Sequence, residues 1–273
     1  MSVQSVHRAL EILALFSPAR PRLGITEISQ LMGLPKATIH GLVRTLADFG
    51  FLAQDPETRR YTLGLKIYEL GTMLAGSLTI NRIGAGPAQR LSRQAGLMTR
   101  LAIWDQNSVL VTLSIFSPSQ EVAFHQLGPR VPAHCTAIGK AILAFLPPTE
   151  IEAHLAGLSY APYTANTITT EKELLEDLEQ IRLKGYAIDR EEFIPGLVCI
   201  GAPVFDRSGR PTASISLSGK PSRLTGRGLS GLADDLVRTA MEISHQSGFL
   251  PELPAGRKTV MQQSGSGRAK AGD

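Results

Sequence analysis

Two sets of side chains in this sequence have the types and spacing to do chemistry, and the chemistry differs between them. The first runs from residue 36 to residue 60. Lys36, Thr38, His40, Gly41, Arg44 and Thr45 fall within three helical turns, and Arg59 and Arg60 follow where a hairpin tip is expected. At 100° per residue, Ala37, Gly41, Arg44 and Asp48 centre one helix face, with Thr38, His40 and Thr45 at its flanks. A solvated helix face usually carries long charged residues. This one is mostly short, which suits a helix pressed into a groove about 12 Å wide, where small residues let the backbone approach base edges. Paired arginines at a hairpin tip suit phosphates, contacts that position a protein on nucleic acid without reading sequence.

The second set lies between residues 131 and 218. His134, Cys135 and Lys140 surround a loop that enters a helix, whose first backbone N–H groups are open to an anion or a carbonyl. The segment lacks the glycine and hydroxyl spacing of a P-loop. Ser214, Ser216 and Ser218 alternate with Ile215 and Leu217, so three hydroxyls share one strand face. Such a face can hold a small polar molecule with donors that carry no net charge. On pattern alone, however, a serine face reads as solvated, His134 as a surface histidine and Lys140 as a solvated lysine. Asp189 is as well suited to capping a turn as to touching a ligand.

Catalysis and metal binding find little support here. Cys199 sits in the apolar run LVCIGAPV, which raises a thiol pKa, and Cys135 beside His134 has no orienting third residue that spacing identifies. His125, His134 and Cys135 make no recognised ligand spacing. No catalytic residues, metal or cofactor are expected.

The elements that must position these residues are legible as periodicities. Ile39, Leu42, Val43 and Leu46 fall at i, i+3, i+4 and i+7 and commit the opposite face of the reading helix to a core. Upstream, residues 5–16 carry Val6, Ala9, Leu10, Leu13 and Ala14 on one side, as a supporting helix would. In GITEISQLMG, Gly24 can cap a short helix with Glu27 as the capping-box acid, and Gly33 ends it. Pro35 is placed at the first position of the next helix and Gly50 just past its end. Residues 51–53 and 61–63 flank Asp55-Pro56-Glu57-Thr58 as a hairpin. The whole is a winged helix-turn-helix. LKIYELGTMLAGSL, with Leu65, Tyr68, Met73 and Leu74, is predicted to leave the wing as a linker helix. An interrupted helical stretch with Pro87 follows over residues 79–95.

LMTRLAIWD, VLVTLSIF, EVAFHQL, LVCIGAPVF and TASISLSG then read as strands, and residues 136–146, 171–185 and 229–244 as helices. Mixing of this kind points to an α+β domain. The expected domains are therefore 1–64 (winged helix-turn-helix), 65–80 (linker helix), 81–250 (α+β) and 251–273. The last is rich in Pro, Gly and Ser and is expected to be a disordered tail.

Composition adds weaker bounds. The chain has 273 residues, 43% of them apolar, ample for a packed core. Its net charge of +4 lies at the ends: residues 1–80 hold 8 basic and 6 acidic groups, residues 81–250 hold 16 of each, and residues 251–273 hold 4 and 2. A head this mildly basic would not suggest nucleic acid by charge alone, although dimerisation would double the field. With no apolar run of 18 residues and no signal-peptide pattern, a cytoplasmic protein without a membrane partner is expected, its two cysteines free thiols.

Several phrases together closely resemble the isocitrate lyase regulator (IclR) family of bacterial transcription factors: GLPKATIHGLVRTL, DFGFLAQDPETRRYTLG, LKIYELG, AHCTAIGKAILAFL, KGYAIDREEFIPGLVCIGAPVFD and GRPTASISLSG. The resemblance covers roughly residues 3–250. It implies a sequence-specific regulator of an operator in double-stranded DNA, acting as a homodimer or a dimer of dimers. It also implies a GAF/PAS-like effector domain for a small metabolite, organic and aromatic acids being within its scope. Thr38, His40, Arg44 and Thr45 would lie near bases, and Lys36, Arg59 and Arg60 on phosphates. The positions matching the family's effector contacts are Ala137, Ile138, Asp189, Leu197, Cys199, Ser216 and Ser218, with Val131 as an apolar wall. One departure is Gly41, where family members commonly carry arginine. A mid-helix glycine costs about 1 kcal/mol relative to alanine, so it marks either a changed base contact or a closer approach to DNA. If Gly41 has instead cost the helix its specificity, the chain would be a ligand-binding module with nonspecific or architectural DNA affinity.

Overall fold

The computed structural model describes residues 3–117, 129–224 and 227–250. The expected strand EVAFHQL, His125 and the expected tail at 251–273 lie outside these residues.

The head comprises α1 (Gln4–Ala14), α2 (Ile25–Met32), α3 (Lys36–Asp48) and a wing of β1 (Leu52–Gln54) and β2 (Tyr61–Leu63). Gly24 and Glu27 form the expected cap, the Gly24 N–H donating to Glu27 Oε2 at 2.7 Å. Gly33 ends α2 in the left-handed conformation at φ 63°, where a side chain would be strained. Pro35 stands one position earlier than expected: it is the N-cap of α3, not its first residue, with extended backbone at ψ 140°. Ile39 and Val43 are fully buried in a core with Ile12, Ile28, Leu52 and Tyr61, each large aliphatic contributing about 1.5–3 kcal/mol. Leu23 exchanges two backbone hydrogen bonds with Tyr61 and so ties the wing to the loop before α2.

The expected inner face of α1 is corrected. Ile12 is its buried residue, whereas Val6 and Leu10 are 56% and 61% exposed. Four-residue spacing fixes a stripe but not the direction it faces, and here the head core takes the Ile12 side.

The expected linker helix is α4 (Leu65–Ser77) and the helical stretch expected over residues 79–95 is α5 (Thr79–Ala95), the two separated at Leu78, whose extended backbone breaks the helix. Pro87 lies inside α5 without interrupting it. Six antiparallel strands follow in the order β5-β4-β3-β8-β7-β6. They are β3 (Met98–Asp105), β4 (Ser108–Ile115), β5 (Arg130–Val131), β6 (Ala187–Arg190), β7 (Val198–Phe205) and β8 (Pro211–Gly219). The helices α6 (Ala137–Leu143), α7 (Pro148–Ala156), α8 (Glu171–Lys184) and α9 (Arg227–Gln246), with one 3-10 turn at Pro221–Arg223, complete the described elements. The short strand β5 and the helix α7 were not anticipated, although Pro147-Pro148 is a helix-start signal.

Both faces of this sheet are covered. Ile200, Ala202, Val204, Ile215 and Leu217 pack with Leu91, Leu236 and Ile243 of α5 and α9 in one core. On the other side α6 lies directly against the strands. A Cβ on Gly201 would stand 2.4 Å from the Ala137 carbonyl oxygen, so only glycine lets the start of α6 approach so closely.

Candidate functional site

The head carries the outward face that the periodicity required. Lys36, His40, Gly41, Arg44 and Thr45 are exposed and Thr38 is half-buried, on the side of α3 opposite Ile39 and Val43. Nothing lies within 4 Å of a Cβ added at Gly41, so no packing within the chain requires glycine there. The Thr45 hydroxyl donates to the Gly41 carbonyl at 3.0 Å, which leaves its oxygen as an acceptor. Arg44 stands 4.0 Å from Asp48 across an exposed turn, a spacing that holds it only weakly.

The two wing arginines differ. Asp55 closes the turn by accepting from the Glu57 and Thr58 N–H groups. Arg59 is exposed at its far side with φ 59° and shares an open groove with His40, Gln54 and Thr58. Arg60 turns inward: its guanidinium donates to Glu27 Oε1 at 2.9 Å and to the Arg22 carbonyl at 3.0 Å. Arg60 therefore braces the wing against α2, while its side chain remains 41% exposed and lines the same groove as Arg59. Arg20 and Arg22, which the sequence reading passed over, border the groove on Arg60's other side.

The second site is a narrow cavity of about 20 Å³ between the sheet and the start of α6, room for about one water molecule and far below the range for small-molecule sites. All eight positions matched to the family's effector contacts line it: Val131, Ala137, Ile138, Asp189, Leu197, Cys199, Ser216 and Ser218. Strand register explains how they meet. Asp189 pairs with Cys199 and Cys199 with Ser218, forming one row across β6, β7 and β8. Gly201, Ser216 and Arg100 form the next row across β7, β8 and β3. The serine face is not solvated. Ser214, Ser216 and Ser218 are buried, and the Ser214 hydroxyl donates to the Ile138 carbonyl at 2.7 Å. Thr136 caps α6, donating to the Pro132 carbonyl and accepting from the Gly139 N–H, so one of the N–H groups expected to be open is already engaged.

Five lining residues lie outside the eight matched positions: Thr136, Phe193 and Ile194 fall in segments read as able to build a small-molecule site, whereas Arg100 and Val111 escaped the sequence reading. Arg100 matters most, because it brings a permanent cation into a lining whose expected donors were uncharged hydroxyls. The available signal was an arginine in the middle of the apolar strand LMTRLAIWD, sharing parity with Met98 and Ala102. Burial lowers its pKa from the ordinary value, but a guanidinium remains charged.

His134 and Lys140 overturn their surface readings. His134 is 2% and Lys140 1% exposed. The Lys140 ammonium donates to both Glu192 oxygens at 2.8 Å and to Asp177 Oδ2 at 2.8 Å. Without that pairing so deep a charge would be costly. Glu192 in turn donates its N–H to Asp189 Oδ1 at 2.7 Å, so Asp189 both caps a turn and lines the cavity. Burial, together with the neighbouring Glu192 charge, pushes the Asp189 carboxyl up to about 7, despite the hydrogen bond it accepts. Burial pushes both thiols, Cys135 and Cys199, up to about 12, which disfavours the nucleophilic thiolate. Among the described residues no helix is long and apolar enough to cross a membrane.

Comparison with known proteins accords with this anatomy. The IclR helix-turn-helix domain matches residues 5–56, and the C-terminal domain of the bacterial transcriptional regulator IclR matches residues 73–245. The chain is 37% identical over 247 residues to the HTH-type transcriptional regulator XynR of Escherichia coli (strain K12), covering 90% of this chain and 98% of that one. It is 34% identical over 248 residues to KdgR of the same organism, covering 91% and 94%. A crystal structure of an IclR transcriptional regulator from Alicyclobacillus acidocaldarius superposes with a TM-score of 0.80 at 27% identity, covering 91% of this chain and all of that one. The chain thus belongs to the IclR family: it is a sequence-specific DNA-binding transcriptional regulator with an N-terminal helix-turn-helix and a C-terminal effector-binding domain.

Proposed function

We infer that this regulator works in the cytoplasm as a homodimer in which two copies of α3 enter successive major grooves. Thr38, His40, Arg44 and Thr45 then lie near base edges, while Lys36 and Arg59 rest on phosphates. The effector is a small metabolite held in the cavity beneath α6. The observation that carries the ligand-responsive reading is that one cavity gathers all eight matched residues from four strands, a loop and a helix start. Dimerisation is supported by α4, which has no buried residue although Leu65, Tyr68, Met73 and Leu74 are 86%, 74%, 67% and 61% exposed. A helix with apolar residues on every side is ordinarily covered, and the outward Val6 and Leu10 of α1 add to the apolar surface of the head.

For the effector to regulate, it must bind one arrangement of the linker helices better than the other; coupling of this kind is typically about 1–3 kcal/mol. The test is binding of the full chain to its own upstream intergenic DNA and to a scrambled control across a salt series, with sedimentation of the wild type and of Tyr68→Glu. Discrimination that survives rising salt, together with dimers that Tyr68→Glu dissociates, supports the reading. Equal affinity for both DNAs points to nonspecific binding, and a monomeric wild type removes the dimer.

A further inference from the structure

We propose that Asn81 is the residue that positions the DNA-binding head: its side-chain amide fastens the last turn of α4 to a bulge in β4, and through that joint the effector domain sets the direction of α4. The inference rests on the reading of the cavity beneath α6 as the effector site and goes further in naming the contact that carries its state to the linker.

The two ends of α4 are held differently. At the head the joint is backbone: the Gly64 N–H donates to the Phe51 carbonyl at 2.8 Å and the Lys66 N–H to the Gly50 carbonyl at 3.2 Å. A Cβ on Gly64 would stand 2.1 Å from the Gly50 oxygen, so this end is closely fitted to the head. At the other end Leu78 breaks the helix, and α4 buries none of its residues, so core packing does not fix its angle to the sheet. Asn81, in the first turn of α5, bridges the break. Its Nδ2 donates to the Ala75 carbonyl at 2.9 Å and to the Thr112 carbonyl at 3.3 Å, and its Oδ1 accepts from the Thr112 hydroxyl at 2.7 Å. The Ala75 carbonyl belongs to the last turn of α4, where the helix supplies no partner of its own.

Thr112 can meet Asn81 because it is the extra residue of a bulge. The register between β3 and β4 steps from Leu101–Leu113 to Ala102–Val111, which leaves Thr112 with no residue opposite it on β3. The same step turns the strand over. Val109 and Val111 pack on the α6 side with Ala133 and Ile138, whereas Leu113 and Ile115 pack on the side of α5 and α9. Unbroken alternation would hold all four on one face. Val111 lines the cavity and precedes Thr112 directly in the chain. A displacement of the cavity wall at Val111 therefore falls where the ladder is interrupted, and Asn81 hands it to the end of α4.

The experiment uses the full chain and the DNA fragment that the wild type selects from genomic DNA. Asn81→Leu keeps the size of the side chain without its hydrogen bonds, and Asn81→Asp keeps the acceptor while losing both donor bonds. In both variants amide hydrogen exchange over residues 74–82 should quicken at least about tenfold, while exchange in α8, remote from the joint, stays as in the wild type. Asn81→Leu should itself change operator affinity. Val111→Leu supplies a readout that a merely structural residue would not move. It adds one methylene to the wall of a cavity with room for about one water and should shift operator affinity at least about fivefold. With Asn81→Leu in place the same substitution should shift it less than about twofold. Exchange that does not quicken, an equal rise in α8, operator affinity unmoved by Asn81→Leu, or a Val111→Leu shift that survives Asn81→Leu would each overturn the proposal. The last of these would still sustain the cavity as the effector site. Val111→Leu silent in the wild type, with the other results as expected, would do the reverse: Asn81 would stand as the positioning residue and the cavity would lose its regulatory role.

Discussion

Replacing Lys140 by methionine should cost the effector domain far more than the loss of an ordinary surface lysine. The ammonium is 1% exposed and is met by both oxygens of Glu192, itself buried, and by one oxygen of the half-exposed Asp177. Methionine fills most of the volume of the stem, so the cavity contribution is small. What remains is a buried carboxylate without its counter-ion, and breaking a buried pair by removing one partner costs about 3–5 kcal/mol. For a domain of this size that corresponds to a melting point lower by roughly 6–20 °C. Urea unfolding can be followed by Trp104, the chain's one tryptophan, which packs against His154 of α7 with ring centroids 5.3 Å apart and therefore reports this domain. Glu192 can escape the penalty by taking a proton, and burial already holds its carboxyl above the usual range. The cost should therefore shrink as pH falls. Adding Glu192→Gln removes the stranded charge, while Asp177 can turn to water, so the double variant should recover at least half of the loss. A single-variant cost below about 1 kcal/mol, or a double variant no better than the single, would show that the pairing does not hold the site together.

Three further outcomes follow from the same geometry. Gly41→Ala should stabilise the head by up to about 1 kcal/mol, since the added Cβ meets nothing within 4 Å. Operator affinity then separates the two accounts of this position: a sharp loss means close approach to DNA, and an unchanged value means an altered base contact. Arg59→Ala should weaken all DNA alike and flatten the salt slope by about one unit. Arg60→Ala should instead lower the melting point of the head through loss of its bond to Glu27, and equal salt slopes in the two variants would refute that division. Asp189 titrates near 7 in the folded chain against an ordinary 3.8, so between those values the folded state holds the proton more tightly than the unfolded. Its contribution to stability is full below about pH 4 and is lost as pH rises through 7, on the order of 4 kcal/mol in all. Comparing Asp189→Asn with the wild type across pH 4–8 should show the variant lacking this decline, and parallel curves would refute it.

The sequence by itself determined what depends on neighbours along the chain. Helix spacing fixed the core face of α3, the Gly24 and Glu27 pair fixed the start of α2, and strict alternation put Ser214, Ser216 and Ser218 on one face. Each is a local rule, with a period of 3.6 or 2 or a capping bond three residues long, so one segment suffices to read it. The motif phrases extended that reading to eight cavity positions, because a family resemblance carries tertiary information that periodicity lacks. The tertiary structure decided everything that depends on what lies opposite. It turned Val6 and Leu10 outward, since a stripe does not say which of its sides the core will cover. It buried Lys140, because the acids that permit this lie 37 and 52 residues further along. It paired Arg60 with Glu27, 33 residues earlier in the chain. It also brought Arg100 opposite Ser216, because pairing between distant strands is set by the register of the whole sheet and by nothing within either strand.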